Sequence, residues 1–184
     1  MQTDVITFLT HQHNEVNALF TQLEKMEGST SDEAQRLAEE VVISLVKHSV
    51  AEEIHLYPAV REHVPGGNEI ADHELHEHDE AEQIMKRLES LKPADTEFWP
   101  TMRELISAIR HHVREEEDDL FPKLRQACSQ QELMELGKKV QQTEKMAPTR
   151  PHPSAPSEGA ALAALAPGVG LIDRLRDALS GRGR

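Results

Sequence analysis

The chain has 184 residues, a net charge of −13 and only 3% aromatic residues. This allows one domain of ordinary size plus a tail, with a core built mainly from Leu, Val, Ile and Ala. The acidic balance argues against a phosphate-binding surface and hence against nucleic acid as a partner. The start lacks a basic, apolar leader, no stretch is long and apolar enough to span a bilayer, and the single cysteine, Cys128, leaves no intrachain disulfide, so a cytoplasmic protein is expected.

Thr3 can cap a first helix starting near Asp4, along which Ile6, Leu9, Val16, Phe20 and Leu23 recur at helical spacing. His13 falls in the gap of that stripe, which turns a polar ring towards the core. After the break at Gly28 to Ser31, Thr30 and Glu33 carry a capping-box signature for a second helix with the stripe Ala34, Leu37, Val41, Leu45, His48 and Glu52. Pro58 bends or ends it, and Pro65-Gly66-Gly67-Asn68 makes a turn. A third helix from about Glu69 presents Ile70, Ala81, Met85, Leu88 and Leu91, with Glu74 and His78 on the same face. A fourth carries Phe98, Met102, Leu105 and Ile109 before reaching His112 and Glu116.

Ser129 and Glu132 suit the start of a shorter fifth helix through Lys145 that covers one side of the bundle. Residues 1–146 therefore read as one helical domain, 147–170 as a Pro/Ala/Gly-rich linker and 171–184 as a short amphipathic segment within a flexible tail. The tail docks weakly or stays mobile, or else contacts a partner chain.

Two segments repeat one pattern. His48 and Glu52 are followed by Tyr57-Pro58, and His112 and Glu116 by Phe121-Pro122. Four-residue spacing places each His and Glu one turn apart on one helical face. The segment from His13 likewise aligns with that from His78, and the gaps His13 to His48 and His78 to His112 are 35 and 34 residues. Two matching hairpins packed face to face make an antiparallel up-down-up-down four-helix bundle, with four histidines and two glutamates at similar depth.

A lone histidine on a core stripe is usually a hydrogen-bonded core residue. Four, one per helix and two of them with Glu one turn on, read instead as a metal site. Two nitrogen ligands per ion, with Glu52 and Glu116 bridging, favour two ions over one, and the thiolate-free donor set suits iron or manganese better than a closed zinc site. Glu53 and Glu117 turn about 100° away from the ligand face, to its flank or the surface. His11, His63, His76, His111 and His152 lie off the stripes and read as surface residues. His55, seven residues beyond His48, and Tyr57 read as core residues or close neighbours of the metals. Ferritin-like carriers need Glu-x-x-His on two helices, and only Glu52-x-x-His55 fits among the inward positions.

The set His13, His48-x-x-x-Glu52, His78 and His112-x-x-x-Glu116, with Tyr57-Pro58 and Phe121-Pro122, resembles the hemerythrin HHE cation-binding family over residues 1–127; the tail resembles those of actinobacterial members. The resemblance implies an all-α antiparallel four-helix bundle holding two non-haem iron ions, bridged by oxygen and two carboxylates, on His13, His48, Glu52, His78, His112 and Glu116. Oxygen-carrying hemerythrins have a further histidine one turn before the second-hairpin ligand. Here that position is Glu74, expected as the extra ligand or a near neighbour, with His73 needing a local distortion to reach the site.

A carboxylate there favours the oxidised pair and tilts the expectation towards an enzyme that decomposes peroxide or oxidises ferrous iron in oxidative or nitrosative stress. The alternative is reversible binding of O2 or NO for storage, transport or sensing; a purely structural metal is a third reading. The oligomeric state stays open.

Overall fold

The computed structural model describes residues 3–154, 159–180 and 182. It is all-helical, with no strand among the described residues. Helix α1 (Val5–Lys25) is capped by Asp4, whose side chain accepts from the Thr7 N–H, so the cap lies one residue beyond the Thr3 expected from sequence. Helix α2 (Asp32–Ala51) is capped by Ser31, which accepts from the Ala34 N–H, and not by the Thr30/Glu33 pair.

Neither motif proline stops its helix. Helix α2 passes through a π-helical turn at Glu52–Leu56 into α3 (Tyr57–His63), with Pro58 in the first turn of α3. Helix α4 (Gly67–Leu88) follows, and α5 (Phe98–Glu115) repeats the device, through a π-helical turn at Glu116–Leu120 into α6 (Phe121–Ala127). The Tyr57 N–H reaches the Glu52 carbonyl and the Phe121 N–H reaches the Glu116 carbonyl, five residues back in both cases. In a regular helix five residues would leave Tyr57 about 140° around from Glu52. The wider turn reduces that angle, so both side chains face the interior.

The four bundle rods are α1, α2–α3, α4 and α5–α6. Helix α7 (Gln130–Glu144), with a full Ser129/Glu132 capping box as expected, packs on α1 and α2. Apolar burial within the bundle falls into two main blocks. One holds Val16, Phe20, Leu45, Met85, Trp99 and Ile109, and the other Leu9, Leu56, Tyr57, Leu75, Phe121 and Leu133. Along every rod the site histidine lies between residues of the two blocks, so a polar layer divides the core.

The turn before α4 combines two glycine requirements. Gly66 has a φ of 74°, a left-handed conformation that glycine adopts without penalty. A Cβ on Gly67 would stand 2.1 Å from the Val60 carbonyl oxygen. Helix α4 therefore begins at Gly67, earlier than the Glu69 start read from the turn signal. Gly67→Ala is expected to cost about 1–3 kcal/mol by forcing α3 and α4 apart. Thermal unfolding should show a lower Tm, and an unchanged Tm would mean that the hairpin yields freely.

The C-terminal segment differs most from expectation. Helix α8 spans Gly159–Ser180, so 159–170, assigned to the linker from sequence, is helical. Within the segment read as a short amphipathic helix, Leu171, Leu175 and Leu179 are exposed and Asp173 and Asp177 are buried. The reason is polar. Asp173 accepts the backbone N–H groups of Thr149 and Arg150 and pairs with His152, while Asp177 accepts from the Thr149 hydroxyl and pairs with Arg150. Leu162 and Ala166 join Val50 and Ala147 in a small third core, which docks the helix on the bundle, and His152 is half-buried rather than a free surface residue. Part of the predicted 171–184 segment, Gly181, Gly183 and Arg184, lies outside the described residues.

Candidate metal centre

The polar layer holds His13 on α1, His48 on α2, His78 on α4 and His112 on α5, with Glu52 and Glu116 opening the two π-helical turns; all six are buried. Helical periodicity places each ring inward, and acceptors on the neighbouring helices orient it. His13 Nδ1 donates to Glu117 at 2.8 Å, His48 Nδ1 to the Gln12 amide oxygen at 3.0 Å, His78 Nδ1 to Glu53 at 2.9 Å and His112 Nδ1 to Glu77 at 3.0 Å. With every Nδ1 bound to an acceptor, each ring in its neutral form carries its proton there and turns a bare Nε2 lone pair inward.

Those nitrogens meet in pairs, His13 Nε2 to His48 Nε2 at 3.2 Å and His78 Nε2 to His112 Nε2 at 3.1 Å. Glu52 spans the pairs: Oε1 lies 3.1 Å from His48 Nε2, and Oε2 lies 3.5 Å from His78 Nε2. Glu116 Oε2 lies 3.4 Å from His13 Nε2 and 3.7 Å from His112 Nε2. Both Glu52 oxygens and Glu116 Oε2 are buried without a hydrogen-bond partner. Bare nitrogens facing one another beside orphaned carboxylate oxygens repel unless a proton or a cation lies between them. Neighbouring ligands on one ion with bonds of about 2.1 Å stand about 3 Å apart, so the donor set fits a metal.

The titration behaviour follows from this crowding. Burial pushes Glu52 well above the carboxylate range, and the Glu116 charge adds to it. Burial also opposes the charge on Glu116, but His112 and His13 outweigh it and hold that carboxyl down at about 2. Burial disfavours the charged form of His112 too, yet Glu116, Glu74 and Glu77 overcome it and raise that ring well above its usual value. Burial lowers His48, and lowers His78 well below the ordinary range. Tyr57 is pushed well above the phenol range by burial and by Glu116, so its hydroxyl keeps its proton.

The family model of the hemerythrin HHE cation binding domain matches residues 4–124. The chain belongs to the hemerythrin HHE cation-binding family. An uncharacterized hemerythrin-like protein of Schizosaccharomyces pombe is 32% identical over 147 residues, which cover 79% of this chain and 72% of that one. A DNA nickase of Nostoc sp. is 32% identical over 125 residues, 65% of this chain but 33% of the nickase. A crystal structure of a hemerythrin HHE cation binding domain-containing protein from Mycobacterium kansasii shares the fold, with a TM-score of 0.67 at 20% identity over 78% of this chain and 86% of that one. As in that family, the His/Glu clusters fit a metal-binding protein: donor atoms of His13, His48, Glu52 and Glu116 lie within 4.8 Å of one another, as do those of Glu52, His78 and His112.

The HHE positions singled out from sequence separate clearly in space. Glu74 is buried at the edge of the layer, with Oε2 3.0 Å from His112 Nδ1, on the outer nitrogen of that ring. Tyr57 lies inside the layer, its hydroxyl 3.0 Å from His78 Nε2 and 3.3 Å from Glu116 Oε1. His73 does not approach; it is half exposed and pairs with Glu115. His55 turns to α7, where its Nε2 meets the Thr143 hydroxyl at 2.7 Å. Gln12 and Glu77 were missed, because their work is done across a helix interface that periodicity within one helix does not describe. Their only sequence signal is adjacency to His13 and His78.

Proposed function

We propose that this chain holds two non-haem iron ions among His13, His48, Glu52, His78, His112 and Glu116. The pair reacts with O2 or H2O2, decomposing peroxide or oxidising ferrous iron, in oxidative or nitrosative stress defence. The observation that carries the dinuclear reading is Glu52, which offers one orphaned oxygen to each histidine pair. When bound, the iron would supply the redox chemistry.

The chain's own residues prepare that chemistry. Glu117, Gln12, Glu53 and Glu77 hold the four rings in the tautomer that exposes Nε2. Tyr57 keeps a proton beside Glu116 Oε1, where it can be donated as negative charge builds up. A cleft of about 610 Å³ reaches His13, His48, His78 and His112 past the apolar side chains of Val16, Phe20, Leu45 and Ile109, with Glu15, Lys47, Arg110 and Glu144 also in its lining, and admits small molecules to the polar layer. Glu74 adds a carboxylate that favours the more highly charged, oxidised pair.

The same apolar walls suit neutral O2 or NO, which supports a second reading, reversible gas binding for storage, transport or sensing. Loading the protein with ferrous iron without air, adding O2, recording the charge-transfer spectrum and then removing the gas separates the two. A persistent ferric spectrum with catalytic loss of added H2O2 is the expected result. Full reversal of the spectrum selects the binding reading, and failure to take up two irons per chain defeats both.

Glu74→His restores a histidine one turn before His78. This variant is expected to show a larger reversible fraction in the same optical cycle. An unchanged oxygen reaction would remove Glu74 from the account.

A further inference from the structure

The outer side of α4 and α5 repeats the His/Glu pairing of the buried layer, one residue further round each helix. His73 and Glu77 stand four apart on α4, and His111 and Glu115 stand four apart on α5. The helices pack side by side and bring the two pairs together. His73 Nε2 lies 2.7 Å from Glu115 Oε2 and 3.9 Å from Glu77 Oε1. His111 Nε2 lies 3.4 Å from Glu77 Oε1 and 3.6 Å from Glu115 Oε1.

We propose that His73, Glu77, His111 and Glu115 form a second metal site, for a single divalent first-row transition ion. Four ligands placed tetrahedrally at about 2.1 Å from an ion stand about 3.4 Å apart, and the His–Glu separations straddle that value. His73 meets Oε2 of Glu115 whereas His111 meets Oε1, so His111 must shift to complete the set. Donor atoms of His73, Glu77 and Glu115 already lie within 4.8 Å of one another. Two imidazoles and two carboxylates suit a borderline ion, and the two negative charges match a dication. Among the described residues Glu77 and Glu115 pair with histidines and not with Lys or Arg, so the ion need not displace a fixed cation. Both histidines are half exposed, at 53% and 54% of the side chain, which lets an ion arrive from solvent without opening the bundle.

The site is separate from the buried centre but touches it. Glu77 turns Oε1 outward to His111 and Oε2 inward to His112 Nδ1. An ion at the surface is therefore one carboxylate away from a ring of the buried layer, and draws on the acceptor that orients that ring.

The test is a Zn²⁺ titration of the full-length, metal-free protein by calorimetry, beside the double variant His73→Ala/His111→Ala. The variant is expected to lose one zinc equivalent and keep every other. Equal stoichiometry in the two proteins overturns the proposal. Failure of the dinuclear reading would appear as equivalents missing from both proteins, leaving the difference of one intact. If the double variant does not fold by circular dichroism, Glu115→Gln decides: that equivalent should weaken about tenfold or more, and an unchanged isotherm overturns the site.

Discussion

Glu52→Ala is expected to abolish loading of the iron pair while leaving the bundle folded. Glu52 is fully buried and offers an oxygen to each histidine pair, so its removal takes a donor from both groups at once. Affinity at each ion should fall about 100-fold or more, beyond what loss of an outer partner costs. The metal-free protein should not suffer equally. Both oxygens are desolvated without hydrogen bonds, so the wild type carries a strained group that alanine deletes. Metal content by mass spectrometry should drop from two irons to none. The rise in Tm on adding metal, worth about 2.7 kcal/mol when free metal stands at 100 times its Kd, should vanish. Retention of two irons would remove Glu52 as the shared ligand.

Ferrous iron affinity is expected to fall steeply on acidification, because the metal must displace protons that the folded chain holds unusually well. Glu52 and His112 are both raised well above their ordinary values, while His48 and His78 are lowered and already neutral. Each displaced proton changes apparent affinity about tenfold per pH unit, so two give about 100-fold per unit below both pKa values.

The metal-free chain should respond in the opposite sense. Between the unfolded and the raised folded values of Glu52 and His112 the native state binds more protons, so their contribution is present at low pH and lost as pH rises. Glu116, held at about 2, stabilises above the unfolded carboxylate value of 4.5 and loses that contribution as pH falls towards 2. Anaerobic iron titrations from pH 5 to 8, paired with melts of the metal-free protein, check both slopes. A pH-independent affinity would show that these groups are not displaced by metal.

Both results depend on residues whose roles were legible to different degrees. The apolar stripes broken by His13, His48, His78 and His112, and the repeated His-x-x-x-Glu spacing, were enough to read a four-helix bundle with a polar layer. Spacing of 3.6 residues per turn fixes each side chain's angle on its own helix, so the inward set follows from the chain alone. The prolines were legible as disturbances but not as π-helical turns. An extra residue per turn leaves the same letters in the sequence and is revealed only by which carbonyl the Tyr57 and Phe121 N–H groups reach.

The tail and the outer contacts were not legible for a related reason. In α8 the N–H groups of Thr149 and Arg150 and the Arg150 guanidinium gather around Asp173 and Asp177 and draw the aspartates inward. His111 read as a surface residue, and His73 as one that needs a distortion to reach the metals, because their closest partners sit on another helix. By itself the sequence determined the four bundle helices, their buried faces and the six residues of the polar layer. The tertiary structure alone decided that Glu77, Gln12, Glu53 and Glu117 orient the rings, that Tyr57 enters the layer and that Asp173 faces inward. Those contacts depend on the relative rotation and axial offset of packed helices, which the periodicity of any one helix leaves free.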